Sequence, residues 1–282
     1  MPNSDANPAR CNDEEDLSEL SRSRDWHVRR KVAWNPCAPE AILSVLARDE
    51  VQWVREAVAG NARASQQTIE RLANDRSGFV RASVALNGQT PVQILAELAS
   101  DEMVDFDCTL GKNRYLVKES VAKNPNISPG TLGLLARDSD EHVRAGAASN
   151  AGMTSELLQK LSRDVSWLVR NNVARNAATP QSLLGYLSAD RIMDVRITIA
   201  MNPRTPAGAL ATLATDKSWE VREAAARNPS ASENILEDLS AHWSWKVREA
   251  VAQNPRTPRE TLTRLASDPD QSVAKAAATR LS

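Results

Sequence analysis

The sequence predicts an all-α fold: a right-handed α-solenoid of nine two-helix repeats with a capping half-repeat at the C-terminus. Three observations predict it. An asparagine returns every 26 residues, at Asn35, Asn61 and Asn87, then after one gap of 37 at Asn124, Asn150, Asn176, Asn202, Asn228 and Asn254. Six residues before each stands a cation: Arg29, Arg55, Arg81, Lys118, Arg144, Arg170, Arg196, Arg222 or Arg248. Fourteen residues after each stands Asp49, Asp75, Asp101, Asp138, Asp164, Asp190, Asp216, His242 or Asp268. Nine in-phase copies of so short a unit describe a stacked array, in which each repeat buries its apolar face on the next.

Within a unit the elements follow from local chemistry. In the copy at Asn202, Thr205-Pro206 reads as an N-cap followed by proline at the first helical position. Leu210, Leu213 and Ala214 then form an apolar stripe at helical spacing. Asp216-Lys217-Ser218 breaks the pattern, with Ser218 placed to cap a second helix over 219–227. Pro229 ends that helix by restricting Asn228. Helices of about ten residues are unstable alone in water, so the neighbouring unit must cover them. The leucine pair recurs from Leu43 and Leu46 to Leu262 and Leu265, always followed by Ala or Ser. A small residue there lets helices pack closely. At the C-terminus Val273 keeps its phase, while Ala274 and Arg280 replace the arginine and asparagine, as suits a cap.

Residues 1–22 are expected to be a flexible acidic segment and residues 23–282 a single solenoid. Eleven extra residues between Asp101 and Lys118 predict an irregular projecting loop at about 102–112, where the Asp-to-cation spacing is lost. The loop is a candidate partner contact, with Phe106 as its apolar residue. Asp105 and Asp107 are too few ligands to argue for a cation.

Composition narrows the function classes. A formal net charge of -1 gives no general attraction to nucleic acid or to an anionic membrane. Cys11, Cys37 and Cys108 are odd in number and far apart. They suggest neither a disulfide framework nor a metal cluster, and favour a reducing, cytoplasmic location. No apolar run suggests a secretory leader or a membrane span. His27, His142 and His242 fall at unrelated phases, and no nucleophile–base arrangement or phosphate-cradling glycine loop is visible. No enzyme activity, cofactor or metal is therefore expected.

Units such as Val247-Arg248-Glu249-Ala250-Val251-Ala252-Gln253-Asn254-Pro255-Arg256-Thr257-Pro258 resemble the leucine-rich repeat variant, and the Asp-to-Val-Arg spacing is similar to that of HEAT repeats. The resemblance covers about residues 23–282 and implies the solenoid fold, with little implication for function. The period is two residues longer than usual for that family, so a fuller second helix is expected. Some relatives carry an iron–sulfur cluster on N-terminal cysteines, but only Cys11 precedes the first repeat here. HEAT-like solenoids also include DNA glycosylases and bilin lyases, and nothing in this sequence supports either. The HEAT likeness implies a structural ladder of Asp49 with Arg55, Asp75 with Arg81, Asp138 with Arg144, Asp164 with Arg170, Asp190 with Arg196 and Asp216 with Arg222.

Recognition residues are better sought where the repeat varies. The residue after the arginine and the one four later are expected to form an outward pair on the second helix. That column includes Trp34, Leu86, Glu119 with Lys123, Arg175, Ile197 with Met201, and Glu223 with Arg227. Apolar members facing solvent point to contact with a partner. Trp26, Trp167, Trp219 and Trp245 each precede the repeat arginine by three residues, close enough along a helix to stack on it. The leading expectation is a monomeric, non-enzymatic scaffold binding a protein or peptide along the second-helix ridge. The alternative is nucleic-acid binding by Arg–Trp pairs free of the ladder.

Overall fold

The structure, a computed structural model, describes residues 14–107 and 112–282. It divides into two compact units, Met1–Met153 and Thr154–Ser282. The first contains α1 (Glu14–Leu20), α2 (Trp26–Trp34), α3 (Glu40–Leu46), α4 (Gln52–Gly60), α5 (Gln66–Ala73), α6 (Gly78–Leu86), α7 (Val92–Leu98), α8 (Leu116–Lys123), α9 (Pro129–Leu135) and α10 (Glu141–Ser149). The second contains α11 (Ser155–Leu161), α12 (Trp167–Arg175), α13 (Gln181–Leu187), α14 (Met193–Met201), α15 (Ala207–Ala214), α16 (Trp219–Arg227), α17 (Glu233–Leu239), α18 (Trp245–Gln253), α19 (Arg259–Leu265) and α20 (Gln271–Leu281). Odd-numbered helices are the first helices of the layers and even-numbered ones the second.

Within each unit the second helices stack directly: α2 on α4, α6, α8 and α10 in turn, and α12 on α14, α16, α18 and α20 in turn. Their contact face is Val and Ala, as in Val54, Val58 and Ala59 or Val221, Ala225 and Ala226, all fully buried. Small side chains allow the close approach. A Cβ at Gly146 in α10 would lie 3.1 Å from the carbonyl oxygen of Glu119 in α8. The leucine pairs of the first helices seal the other side, with Leu43, Ile69, Leu95, Leu158, Leu184 and Leu210 buried. Each such side chain contributes about 1.5–3 kcal/mol.

Polar ladders join the layers at both ends of the second helices. At the end that leads into the next first helix, the asparagine Nδ2 donates to two carbonyls of the preceding layer, as Asn61 does to Ala33 at 2.7 Å and Asn35 at 2.9 Å. Its Oδ1 accepts from the backbone two residues on, at Arg63 N–H. Asn87, Asn228 and Asn254 repeat this pattern. Arg280 substitutes in the last layer, donating to the carbonyls of Asn254 and Pro255.

The other end holds the ion pairs, and their partners differ from those the sequence suggested. Arg55 does not pair with the carboxylate of Asp49. It donates Nη1 to the Asp49 carbonyl at 2.7 Å, and Nε and Nη2 to both carboxylate oxygens of Asp75, at 2.6 and 2.9 Å. Arg81 likewise holds Asp101, Arg170 holds Asp190 and Arg196 holds Asp216. Arg29 with Asp49 and Arg248 with Asp268 repeat the arrangement. Lys118 lies 3.5 Å from Asp138, and Arg144 donates to the Asp138 carbonyl. The Asp164 carboxylate accepts from Ser166 N–H. Each carboxylate therefore lies one layer ahead of its arginine.

Further expectations change. Residues 14–20 are helical, not a flexible segment: α1 places Leu17 and Leu20 in the leucine phase, and Leu17 is buried. The insertion is not irregular throughout, because β1 (Asp105–Asp107) pairs antiparallel with β2 (Lys112–Arg114). Its register sets Asp105 opposite Arg114 and Asp107 opposite Lys112, opposite charges that favour pairing. Nor is the ladder broken there, since Arg81 keeps Asp101 and Lys118 keeps Asp138. Cys37 is disulfide-bonded, so the cysteines are not all free thiols and are no sign of a reducing compartment. The repeat threonine is no N-cap either. Thr205 Oγ1 donates back to the Ile199 carbonyl at 2.6 Å, as Thr90 and Thr179 do to Val84 and Val173.

Two predictions follow from the ion pairs. Asp190→Ala should strand the buried Arg170 guanidinium and lower stability by about 3–5 kcal/mol, broadening a denaturant melt as the layers uncouple; a loss below about 1 kcal/mol would mean a solvated rung. For pH, burial works to raise the carboxyl pKa values of Asp49, Asp75, Asp190 and Asp216, but bonds from arginine and backbone N–H outweigh it and hold them below the usual range. In Asp268 the Arg248 bond is the largest effect, in the same direction. Folded values below unfolded ones confer stability that is full above about pH 4 and disappears as pH falls through the folded values. An acid titration by circular dichroism should show no loss down to about pH 4 and a steep one below.

Candidate functional site

The ladder removes most arginines from the surface. Arg55, Arg170 and Arg196 are buried, each bonded to a carboxylate and to a carbonyl. Among the described residues none of Arg29, Arg170, Arg222 and Arg248 stacks on the indole three positions before it. The cation over Trp219 is instead Lys246, 5.0 Å from the ring centroid and 5.8 Å from that of Trp245.

The variable column is exposed in only one of its two members. Positions four after the first member carry Trp34, Leu86, Lys123, Arg175, Met201 and Arg227, all exposed. The first member is buried at Ala82, Glu119 and Asn171 and half-buried at Ile197 and Glu223, because the following second helix packs against it. Ile197 is therefore not an outward residue. Burial raises the Glu56 carboxyl pKa at this same position, against the opposing pull of Arg30. Phe106 lies in β1, and its side chain is outside the described set.

Each exposed member has a definite setting. In the first unit the Trp34 indole lies over α4, where a Cβ on Gly60 would come within 3.1 Å of it. Lys123 bonds Glu119 at 2.6 Å. In the second unit Arg227 bonds Glu223 at 2.9 Å and Gln253 at 2.9 Å. Arg175 and Met201 come together on a groove of about 460 Å³ whose floor includes Ala174, Ala177 and Pro203, with Arg204 also on its wall. Met201 is 57% exposed, and Arg175 has no carboxylate partner among the described residues.

At the opposite end of the same helices, in and beside the turns that join first to second helices, lies a second exposed strip, of which the sequence pointed to Trp167 and Trp245 but not to Val165, Tyr186 or Trp243. It contains Val165, Trp167, Tyr186, Met193, Trp243 and Trp245, with Arg163 5.9 Å from the Tyr186 centroid. The signal was present in the residue after each aspartate position, which reads Val165, Arg191, Lys217 and Trp243 in successive copies. Among the described residues no group of three acidic, His or Cys side chains is placed to hold a metal, and no helix is long and apolar enough to cross a membrane.

Comparison with known proteins agrees with this architecture. The family model of the leucine rich repeat variant matches residues 245–270. A solved structure described as a leucine-rich repeat variant with a novel repetitive structural motif aligns with a TM-score of 0.59 at 24% identity, covering 83% of this chain and 88% of that one. At this identity the likeness concerns the fold alone. An engineered protein (17% identity, 96% and 98% covered, TM-score 0.37) and YibA of Escherichia coli (20%, 92% and 97%, 0.44) align too loosely to carry an argument. No curated protein matches the sequence. With a matched unit at 245–270, other copies in phase with it and a common fold, the chain is an α-solenoid repeat protein, one unit of which matches the leucine rich repeat variant.

Proposed function

We propose that the chain is a non-enzymatic, monomeric scaffold that binds a protein or peptide segment across the exposed column of its second helices. The observation that carries this reading is the groove in the second unit, where Arg175, Met201 and Arg204 surround an alanine and proline floor. Methionine and arginine are enriched at protein interfaces. An apolar floor flanked by guanidinium groups suits an extended segment that alternates apolar and acidic residues.

Nucleic-acid binding is less well supported. The arginine column that would grip phosphates is engaged in the ladder, and the net charge of -1 supplies little counterion-release energy.

The test uses selection from a displayed peptide library on the full chain and on Met201→Glu, an exposed substitution expected to leave folding intact. Peptides enriched on the native chain should lose at least about tenfold in affinity on the variant, or 1.4 kcal/mol. Equal binding of the same peptides to both would sink this groove as the site. A nucleic-acid ligand whose affinity is independent of Met201 would replace the reading altogether.

A further inference from the structure

The turn after α17 differs from the other rungs. Where the acceptor is aspartate, its carboxylate takes three N–H bonds: Asp216, for example, accepts Arg196 Nε and Nη2 together with the backbone N–H of Ser218. His242 occupies that position opposite Arg222. Its Nδ1 accepts the N–H of Ser244 at 3.0 Å, so one of the three roles is kept. A neutral imidazole with Nδ1 accepting carries its proton on Nε2, and Nε2 stands 3.0 Å from Arg222 Nη1, an atom that only donates. The other tautomer moves the same conflict to Ser244. Donors from two sides thus meet a ring with a single acceptor.

The surroundings do not resolve the conflict. Burial, and then the charge of Arg222, hold the imidazole pKa below its usual value, so the ring is neutral near pH 7. Arg222 has turned so that Nε, rather than Nη1, donates to the Asp216 carbonyl. Glu220 accepts from Ser218 Oγ instead of from Arg222. Arg222 is thereby left without a carboxylate among the described residues.

We propose that this rung binds the side-chain carboxylate of an acidic residue in a partner peptide. The carboxylate takes the acceptor role that aspartate has in other rungs, receiving hydrogen bonds from the Nη groups of Arg222 and from His242 Nε2–H. Trp219, Trp243 and Met193 line a groove of about 560 Å³ with Arg222, and Lys217 adds a second positive charge. Trp243 is 74% exposed, an apolar surface for the residues on either side of the acid. One carboxylate matches the guanidinium of Arg222, which has none among the described residues, and the aromatic walls favour an apolar–acidic–apolar sequence over a free phosphate. The site lies at the other end of α16 from Arg227 and does not rest on the Met201 groove.

The experiment titrates acetyl-Leu-Glu-Leu-amide and its Gln counterpart into the full chain, followed by calorimetry and by the NMR signals of the His242 imidazole. The Glu peptide should bind at least about tenfold more tightly than the Gln peptide, and Arg222→Gln should abolish the difference. His242→Asp supplies the missing acceptor from within. It should raise the melting temperature, which shows that it folds, and lose the peptide. The His242 imidazole signals report binding at this rung, which separates it from the groove at Met201. Equal binding of the two peptides, retention in His242→Asp, or no binding up to about 10 mM would overturn the proposal. So would displacement of the Glu peptide by inorganic phosphate at lower concentration than by the Glu peptide itself.

Discussion

A buried primary amide with no unpaired group is the constraint on which the layers depend. Helices of seven to nine residues cannot sustain themselves in water, and their ends would leave several carbonyls unsatisfied. The repeat asparagine meets that demand across the gap between layers. In Asn228 both Nδ2 hydrogens go to carbonyls of the preceding layer and Oδ1 takes a local N–H. Aspartate would offer no hydrogens and alanine would leave the carbonyls stranded, each at a cost typical of buried unpaired groups.

The arginine ladder complements this amide in direction. Asparagine reaches back one layer, whereas arginine reaches forward, as Arg196 does to Asp216. Interfaces such as that between α14 and α16 are therefore tied at both ends of their second helices, and the Val and Ala seam between them is held in register. This arrangement also decides what remains for recognition. Repeated polar side chains are consumed internally, so chemistry offered to a partner must come from positions where the repeat varies or where a rung is altered.

The sequence made much of this legible, and the failures have physical reasons. Helix boundaries such as 219–227 followed from proline and cap signals, and the leucine pairs from their spacing. The ion-pair partner did not follow, because in a period of 26 a residue six positions before and one twenty after share the same phase. Only the three-dimensional stack tells Asp49 from Asp75 as the partner of Arg55. The helix α1 was missed because Leu17 and Leu20 keep the apolar phase without the aspartate and asparagine columns. Ile197 was misjudged because a position outward on one helix is covered by the next. Trp243 was overlooked because it replaces charged residues in a column that had no assigned role.

The segment between Asp101 and Lys118 has a wider meaning for how such chains change length. Ladder bonds to carboxylate span twenty residues, and these spans lie on either side of that segment without crossing it. From aspartate to the following arginine, by contrast, the interval is spanned by side chain to carbonyl bonds in layers such as those of Arg55 and Arg170, and in the lengthened layer Lys118 bonds Glu102 at 2.7 Å. That interval is a punctuation mark between fixed words. The insertion leaves the ladder pairs on both sides in place, so the same interval in other layers offers a graft point for a binding loop, as beside Trp243 in the second unit.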